Sequence, residues 1–462
     1  MKRNNEVARL RREVIARTVR CLAKDAPEEL DRIPLLMRPK GMNASRCCIY
    51  KDRAVLRYRV MTALGFRIED ETDEIRPLAA YAADAAAREK PADEFITIFP
   101  SACSACMESQ TVVTNLCRGC LARPCEANCP RGAITLYDGR ARIDRTRCVD
   151  CGLCAKACAF RAIVEMPLAC EDSCPVGAVS KSEKGCVQID RAKCIHCGRC
   201  IKACPFGAIL QCNQVADVLR RIREGRRVTA MVAPAARNSF EAGPEKLNGA
   251  LLKAGFSAVF EVSAGADVTA RLEAAELLER LERGDPFMTT SCCPAAFELI
   301  QKNVPELAPY ISHTRSPMFY TDELVKAKYP DAVTVFIGPC AAKRTEGALR
   351  GGADYVMTAE ELGSLFMGLG IEVADCEPAV AEAIGSEAAI GFAHSGGVAG
   401  AVLKEIAKAK GAEFKLPVFA VNGLTEKTVN LLRCFARNKK APGALIEIMA
   451  CEGGCCAGPG ML

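Results

Sequence analysis

The sequence predicts an α/β carboxyl-terminal domain, preceded by a cysteine-rich α+β region and a helix-rich amino-terminal region. Three changes of pattern along the 462 residues support this division. Up to about residue 100, apolar residues recur at the spacing of amphipathic helices. Cysteine, proline and glycine dominate residues 101–212, between short strand-like pieces. From 213 to 462, apolar strands alternate with amphipathic helices, which is typical of parallel sheets flanked by helices.

Composition narrows the kind of protein. The chain holds 29 cysteines, and half of its residues are apolar, so it can bury a core without the disulfides that small secreted domains need. Because the cysteines cluster in C-x-x-C runs, metal sites are the better interpretation. The basic start lacks the apolar core of a signal peptide, and no uncharged apolar stretch reaches about 18 residues. We therefore expect a protein of a reducing, anaerobic cytoplasm, with no membrane span.

The charge balance excludes little. The 62 Lys and Arg residues against 56 Asp and Glu leave a formal charge of +6. Since the chain has no Trp and few other aromatic residues, a stacking surface for single-stranded nucleic acid is not expected. A mildly basic surface suits a small acidic protein partner.

The amino-terminal region is predicted to be helical. The segments VARLRREVIARTV and RPLAAYAADAAARE carry apolar residues at i, i+3 and i+4 spacings. Between them lie Cys47 and Cys48, an adjacent pair that cannot easily ligate one cubane together. We interpret both as buried small apolar residues.

Three complete cysteine runs and one half-run lie between residues 101 and 212. Thiolates two residues apart can wrap one face of a 4Fe-4S cubane, and in two-cluster ferredoxins the last cysteine of each run ligates the other cluster. The region is therefore predicted to be ferredoxin-like, with crossed sets of ligands. The sets are Cys117, Cys120 and Cys125 with Cys158; Cys148, Cys151 and Cys154 with Cys129; and Cys194, Cys197 and Cys200 with Cys174.

Four cysteines of these motifs are left over. They are Cys103 and Cys106 in FPSACSACMES, Cys170 in the half-run, and Cys204 at the end of the last run. A fourth 4Fe-4S cluster would use all of them. The alternative is a degenerate half-run with structural cysteines or a zinc ion, because two C-x-x-C halves also satisfy tetrahedral zinc.

The region from 213 onward is predicted to alternate strands and helices. The predicted strands are RRVTAMVAP, FSAVFEV, AVTVFIGP, AAIGFAHS, PVFAVNG and ALIEIMAC. The predicted helices are ADVTARLEAAELLERLERG, TAEELGSLFMGLG, GAVLKEIAKAKG and TEKTVNLLRCFARNKK. Cysteines now stand at the carboxyl ends of strands, where α/β folds place their sites. HSGGVAGAV at 394–402 lacks the full glycine fingerprint of a nucleotide loop, so we predict a tight strand-to-helix turn there.

Three cysteine segments in this region carry a family resemblance. They are TSCCPAA at 290–296, GPCAAKRTE at 338–346 and EIMACEGGC at 447–455. In order and separation they resemble the cluster-binding loops of iron-only (FeFe) hydrogenases. The resemblance implies a two-lobed catalytic domain that holds an H-cluster, a 4Fe-4S cubane joined through one cysteine to a two-iron unit with CO, cyanide and azadithiolate. The implied cubane ligands are Cys293, Cys340, Cys451 and Cys455, the last one bridging.

The resemblance also implies roles for other side chains. Cys292 matches the residue that passes protons to the bridging amine, and Ser312 matches a relay serine. Glu273, Glu276 and Arg280 match a proton route, and their spacing of three and four residues places them on one helical face. On spacing alone, a solvated helix face is the better interpretation of the two glutamates, and the match of the flanking sequence to the family reverses this.

Further matches concern the surroundings of the two-iron unit. Lys343 stands where the family hydrogen-bonds a cyanide ligand, and Glu346 is expected to hold that lysine. Met449 matches a methionine that packs near the unit. Ala233 and Pro234 resemble the strand end that covers the other cyanide.

Departures from the family pattern imply a roomier site with fewer hydrogen bonds. Gly338 stands where a methionine often precedes PC, and Ala235 where a serine often meets the cyanide. Ala296 stands where TSCCP is often followed by GW, and Met318 replaces a glutamine. Together with the RCCIYK segment, the three motifs look most like the group B branch.

The implied function is reversible conversion of protons and electrons to H2, with electrons relayed through three or four accessory 4Fe-4S clusters. The implied partners are H2 and protons, a ferredoxin or similar small redox protein, and maturation proteins. Two alternatives stay open. One is a hydrogenase-derived sensor of H2 or redox state, and the other is an iron-sulfur scaffold without the two-iron unit.

Overall fold

Helices form the amino-terminal region of the computed structural model, which describes residues 5–103, 106, 110–183, 185–411 and 414–462. The first helix is capped by Asn5, whose side chain accepts the N–H of Ala8 at 2.9 Å. In chain order these helices are α1 Glu6–Ala23, α2 Ile33–Met37, α3 Ile49–Ala63 and α4 Leu78–Ala87, with 3-10 turns at Pro27–Arg32 and Ile68–Asp70.

Short strand pairs and single-turn helices make up the cysteine-rich region. The strands are β1 Ile96–Ile98, β2 Gln110–Val113, β3 Ile134–Tyr137, β4 Arg140–Ile143, β5 Ile163–Met166, β6 Val179–Lys181, β7 Val187–Ile189 and β8 Ile209–Gln211. The helices are α5 Pro100–Cys103, α6 Pro124–Ala127, α7 Leu153–Ala157, α8 Ala169–Asp172 and α9 Arg199–Ala203.

These strands form two units of one design, and one unit is inserted into the other. The inner unit, residues 110–166, pairs β2 with β5 and β3 with β4. The outer unit, residues 96–103 and 168–211, pairs β1 with β8 and β6 with β7. Both antiparallel arrangements are ferredoxin-like. The chain leaves the outer unit after Cys106, completes the inner unit, and returns at Cys170.

Matching hydrogen bonds establish the equivalence of the two units. In the inner unit, Thr114 donates its N–H to the Ala162 carbonyl at 2.7 Å, and in the outer unit Phe99 does the same to Ala208 at 2.7 Å. Asp144 and Asp190 occupy a second equivalent position, donating at 2.8 Å to Ala133 and Ala178 respectively. The half-run is therefore the second half of a run that the inner unit interrupts.

Two parallel sheets form the two lobes of the remaining domain, which confirms the predicted α/β class. The first lobe has the strand order β10-β9-β12-β13, and the second lobe has β11-β15-β14. The strands are β9 Val228–Val232, β10 Ala258–Glu261, β11 Met288–Thr289, β12 Val333–Gly338, β13 Tyr355–Thr358, β14 Val418–Asn422 and β15 Leu445–Met449.

Helices flank both sheets. They are α10 Val215–Arg223, α11 Pro234–Arg237, α12 Pro244–Lys253, α13 Val262–Glu282, α14 Pro294–Asn303, α15 Pro317–Lys328, α16 Lys343–Arg350, α17 Ala359–Leu369, α18 Glu387–Ile390, α19 Gly397–Lys410 and α20 Glu426–Asn438. Further 3-10 turns lie at Pro305–Tyr310, Val373–Asp375, Gly391–Ala393 and Cys455–Ala457. The amino-terminal α1 packs on α17, and its Arg11 makes an ion pair of 2.7 Å with the buried Glu360.

The predicted strand AAIGFAHS is wrong, because this segment forms α18 and a 3-10 turn. Ser386 caps α18 by accepting the N–H of Ala389 at 3.3 Å, and Ser386 is itself held by Asp267 through a bond of 2.5 Å. This local capping outweighs the apolar pattern. The turn before α19 consequently joins two helical segments rather than a strand and a helix. Gly396, with φ +85°, supplies its left-handed residue.

The expectation that Cys47 and Cys48 are buried is also wrong, since both are exposed. Cys48 is the N-cap of α3, and its sulfur accepts the N–H of Lys51 at 3.5 Å. A side chain that caps a helix faces the free backbone N–H groups at the helix start, and here the residues around the start of α3 lie at the surface. Among the described residues, no helix is long and apolar enough to cross a membrane.

Candidate active site

A cavity of about 110 Å³ lies where strand ends of both lobes meet. Ala233 and Pro234 follow β9, and Cys340 follows β12 in the first lobe. From the second lobe, Cys292 and Cys293 follow β11, and Met449 ends β15. The carboxyl ends of parallel strands thus bring the predicted site residues together.

Four of the sequence-predicted ligands surround one end of this cavity. Burial raises the pKa of the Cys340 thiol to about 11, and the neighbouring Cys293 adds to this. Burial also raises the pKa values of Cys451 and Cys455, again with the other thiols of the set adding. Because burial disfavours the charged form, these cysteines need a cation beside them to be present as thiolates. Four soft donors in an enclosed site are the chemistry that suits an iron-sulfur cluster, so the residues fit a cubane.

The loop that carries Cys451 and Cys455 depends on two glycines. Gly453 has φ +82° and Gly454 has φ +87°, a region that favours glycine. A Cβ on Gly454 would lie 2.6 Å from the Ala393 carbonyl oxygen. The C-x-x-x-C spacing therefore closes into one turn only with glycine at these positions.

A buried ammonium group faces the same cavity. The Nζ of Lys343 lies 2.6 Å from Glu346 Oε2, 3.0 Å from Ser316 Oγ and 3.5 Å from the carbonyl oxygen of Cys292. Burial acts to lower the pKa of Lys343, but the Glu346 carboxylate raises it above its ordinary value. Lys343 therefore stays charged and can bind an anionic ligand. Sequence reasoning missed Ser316, which bonds both members of this pair.

Behind Cys292 lies Glu273, which is fully buried on α13. Its Oε1 accepts the N–H of Ser291 at 3.3 Å, while its Oε2 has no partner among the described residues. Burial raises the pKa of Glu273 to about 8, and the nearby Glu276 adds to this shift. Burial raises the pKa of the Cys292 thiol well above its ordinary value, and the nearby Glu273 adds to this rise. The two groups are therefore neighbours, and both hold protons at neutral pH.

From Glu273, a row of polar side chains continues outward through three more predicted residues, Ser312, Glu276 and Arg280. Ser312 donates to Glu276 Oε2 at 2.7 Å, and its hydroxyl is also near enough to Glu273 to lower the pKa of that carboxyl. Glu276 pairs with Arg280 at 2.7 Å. Burial opposes ionisation of Glu276, yet hydrogen bonds from His313, Ser312 and Arg280 lower its pKa overall.

The outer end of this path is His313, which sequence reasoning missed. Its side chain is 80% exposed, and its Nδ1 lies 3.3 Å from Glu276 Oε1. Imidazole exchanges protons near neutral pH. Its place directly after Ser312 in ISHTRSP was the available signal. Arg280 is buried and donates to the carbonyl oxygens of Pro309 and Ile311. It therefore holds Glu276 in position, while the exposed group at the outer end is His313.

In the inner unit, cysteines from both runs lie near each other, as the proposed crossed sets require. Cys120 and Cys158 both lie close enough to Cys125 to raise its pKa, which burial raises most. Cys148 and Cys129 act on Cys154 in the same way.

The structure also brings together the four leftover cysteines. Burial raises the pKa of Cys170 to about 11, with Cys204 and Cys103 adding, and both of these also act on Cys106. Among the described residues, no three His, Cys, Asp or Glu side chains converge to hold a single metal ion.

One hydrogen bond recurs at the last cysteine of each run and half-run. Each sulfur accepts the backbone N–H of an alanine four residues later. The pairs are Cys129 with Ala133 at 3.2 Å, Cys158 with Ala162 at 3.3 Å, Cys174 with Ala178 at 3.2 Å and Cys204 with Ala208 at 3.3 Å. The end of the half-run therefore has the same local geometry as the ends of the complete runs, which favours the proposed fourth cluster over a degenerate half-run.

The predicted set of Cys174, Cys194, Cys197 and Cys200 lies next to the cavity. Burial raises the pKa values of Cys194, Cys197 and Cys200, and the nearby Cys174 adds to each of these rises. Cys197 also lines the cavity and acts on Cys451. A cluster held by this set would be the accessory cluster nearest the four thiols of the cavity.

These features define an iron-sulfur redox protein with a buried site for an anionic metal cofactor. A family model described as "Iron only hydrogenase large subunit, C-terminal domain" matches residues 226–459, and two 4Fe-4S binding domain models match 140–163 and 187–210. The chain belongs to the iron-only hydrogenase large subunit family.

Two curated relatives agree with this assignment. Iron hydrogenase 1 of Clostridium pasteurianum is 31% identical over 261 residues, which cover 46% of this chain and 45% of that protein. The periplasmic Fe hydrogenase large subunit of Nitratidesulfovibrio vulgaris is 30% identical over 301 residues, covering 53% and 71%. The chain spans about half the length of the first of these relatives.

Among solved structures, the fold is similar to a variant of an FeFe hydrogenase from Chlamydomonas reinhardtii. The identity is 25% and the TM-score 0.47, with 54% of this chain and 85% of that chain covered.

Proposed function

We propose that this protein is an FeFe hydrogenase that interconverts H2 with two protons and two electrons. The observation that carries the proposal is the buried path from Cys292 through Glu273, Ser312 and Glu276 to the exposed His313, beside four clustered thiols. An iron-sulfur scaffold has no need of a proton path to its cluster site.

The cofactor would be an H-cluster. Cys293, Cys340, Cys451 and Cys455 would hold the cubane, with Cys455 bridging. The diiron unit would occupy the cavity, where it supplies the iron centre and the bridging amine at which H2 is made and split. Lys343, held by Glu346, would bind a cyanide ligand, while Ala233, Pro234 and Met449 would enclose the unit and exclude water.

The protein's own groups would move the protons. The Sγ of Cys292 would hold the proton that is delivered to the cavity, and Glu273 would reload it from its unpartnered Oε2. The Ser312 hydroxyl would pass protons between the two glutamates, because it acts on both. His313 would exchange them with solvent.

Electrons would pass from the inner unit to the outer unit and then to the cubane. In the sequence, the inner unit lies between Cys106 and Cys170, two proposed ligands of one outer cluster. Cys170 acts on Cys200 of the next set, and Cys197 of that set acts on Cys451. The nested topology supports a chain of the proposed clusters that leads to the cavity.

The inner unit is the proposed docking surface for an acidic redox protein such as a ferredoxin, in a reducing cytoplasm. Residues 110–166 carry nine Arg or Lys against five Asp or Glu. Apolar side chains beside the cysteines are exposed there, among them Leu121, Leu116 and Val149. A basic surface with apolar contacts attracts an acidic partner and then lets it pack closely.

The function is tested by H2 evolution from a reduced viologen dye, measured by gas chromatography on protein co-expressed with the FeFe maturation machinery. We expect turnover in the matured protein and none in the unmatured chain. A matured protein that carries the diiron unit and produces no H2 would overturn the proposal of an enzyme.

The docking surface has its own test, with the same assay driven by a reduced acidic ferredoxin. Arg118→Glu together with Arg131→Glu is expected to raise the KM for ferredoxin about tenfold at low salt, while dye-driven activity is unchanged. Lys427→Glu on α20, which is also exposed, is the control for a change of net charge alone. An unchanged KM in the double variant would contradict docking at the inner unit.

A further inference from the structure

A second fully buried carboxylate lies close to the proton path. Glu447 stands in the middle of β15, with neither of its neighbours in the strand exposed. Its Oε1 accepts the N–H of Gly396 at 2.6 Å, and its Oε2 accepts the N–H of Ala399 at 2.8 Å. Both donors belong to the amino-terminal turn of α19, a helix of 14 residues.

This cradle favours an ionised carboxylate. Both oxygens of Glu447 accept hydrogen bonds from N–H groups, so a proton on either one would face a donor. The partial positive charge of the helix start further stabilises the anion. Burial raises the pKa of Glu447, and the N–H donors at Gly396, Val398 and Ala399 act against that rise.

Glu273 is the opposite case. Its Oε1 accepts the Ser291 N–H at 3.3 Å, while its Oε2 is buried without a hydrogen bond among the described residues. The Ser312 hydroxyl is near enough to lower the pKa of Glu273, but it donates its proton to Glu276 at 2.7 Å. Burial raises the pKa of Glu273 most, and the charged groups that face it, Glu276 on its own helix and Glu447 from β15, add to this rise.

Glu447 lies near Glu273 because Ser291, which bonds Glu273, follows Thr290. Thr290 donates its N–H to the Ile446 carbonyl at 3.0 Å and accepts the Ile448 N–H on its Oγ1 at 3.3 Å, on either side of Glu447. Two buried carboxylates in different surroundings commonly divide the roles of fixed charge and proton carrier.

We infer that Glu447 is a positioning residue, a fixed negative charge held by the start of α19 that keeps the Glu273 carboxyl protonated and ready to reload Cys292. The inference rests on the proposed function only where it assigns the Glu273 proton to delivery toward Cys292. The groups that face Glu447 are Glu273 from α13, Cys292 after β11 and the N–H groups of α19. Removal of its charge therefore acts on Glu273 and Cys292, and of these two only Glu273 has a carboxyl group that an infrared titration can follow.

The test is an infrared titration of the full chain produced without the maturation machinery, which requires no turnover. The C=O stretch of a protonated carboxyl is followed against pH, and Glu273→Gln assigns the band. In the unmodified chain the band should disappear with a midpoint near pH 8, the pKa to which burial raises Glu273. In Glu447→Gln the midpoint should fall by about one pH unit, because a like charge has been removed.

Two further variants separate charge from packing. Glu447→Met removes the charge with a side chain of similar length and should lower the midpoint in the same direction. Glu405→Gln, on the outward side of α19 and paired there with Lys408, should leave it unchanged. A midpoint that stays near pH 8 in both Glu447 variants would overturn the inference.

The unmodified chain gives an independent check that needs no stable Glu447 variant. If Glu447 is the fixed anion, only the Glu273 band should titrate near neutral pH. A second buried carboxyl band there that survives Glu273→Gln would contradict the inference. In matured protein, the alkaline limb of the H2-evolution profile should move to lower pH in Glu447→Gln. Absence of any H2 evolution would instead count against the proposed function, and the infrared midpoints would still decide the role of Glu447.

Discussion

At the scale of single residues, the site depends on pairs of buried groups whose charges are set by their neighbours. Lys343 stays charged because Glu346 lies 2.6 Å away, and Glu273 stays protonated because it is buried with one oxygen unpartnered. The sequence predicted the identity of these residues through the motifs that carry them. It could not show Ser316 or Glu447, since neither lies in a spacing pattern that indicates a contact.

Cys292→Ser tests the proton path at its inner end. A hydroxyl is far less acidic than a thiol, so proton delivery should slow by about 100-fold or more, while the four cubane ligands remain. Dye-driven H2 evolution measures the rate, and infrared bands of the cofactor check that it is retained. Cys434→Ser, on the exposed side of α20, should keep normal activity. A Cys292→Ser variant with more than half of the normal rate would contradict the path.

At the scale of elements, the close approach of α13 and α15 positions the residues of the proposed proton path. A Cβ on Gly265 would collide with the Pro317 carbonyl oxygen and with the Thr321 hydroxyl, so only glycine allows this contact. The helix pattern of the sequence predicted α13 correctly. It did not show which face lies against α15, because that depends on a glycine whose neighbour is more than 50 residues away in the chain.

Gly265→Ala should therefore lower stability by about 1–3 kcal/mol, because the two helices must separate. The matched control is Gly400→Ala on α19, where a Cβ would meet no atom within 4 Å. That variant should be stabilised by about 0.5–1 kcal/mol, since alanine favours the helix interior. Thermal unfolding followed by circular dichroism compares the two. Equal effects of both substitutions would refute the close helix contact.

The strand predictions show where local patterns suffice. The strands β9, β12 and β15 are buried throughout or nearly so, and their continuous apolar runs identified them. The segment AAIGFAHS has a similar apolar content but follows a serine cap, and it forms α18. Apolar content alone does not separate a buried strand from a short buried helix.

At the scale of the whole molecule, the nested units explain the cysteine array. The sequence predicted all the crossed sets and left the fourth cluster open, because the two halves of one run are separated by the inner unit. Periodicity within a short window cannot relate Cys103 to Cys170. The structure does so, because Cys103 and Cys204 both lie close enough to Cys170 to raise its pKa further above the value set by burial.

Cys170→Ser tests the fourth accessory cluster. If Cys103, Cys106, Cys170 and Cys204 hold a 4Fe-4S cluster, this variant should lose about one cluster of iron and sulfide and one reduced-cluster signal in electron paramagnetic resonance. Cys186→Ser is the control, because Cys186 lies in the same region outside all the proposed sets. Unchanged iron content in Cys170→Ser would show that the four cysteines are structural.

The central claim, that this chain holds a diiron cofactor beside its four clustered thiols, is tested most directly by an infrared spectrum. Anaerobically purified protein, co-expressed with the FeFe maturation machinery, should show bands of iron-bound CO and cyanide. These bands should be absent from the chain expressed alone. A demonstrably matured sample without them would contradict the account and leave an iron-sulfur protein of another kind.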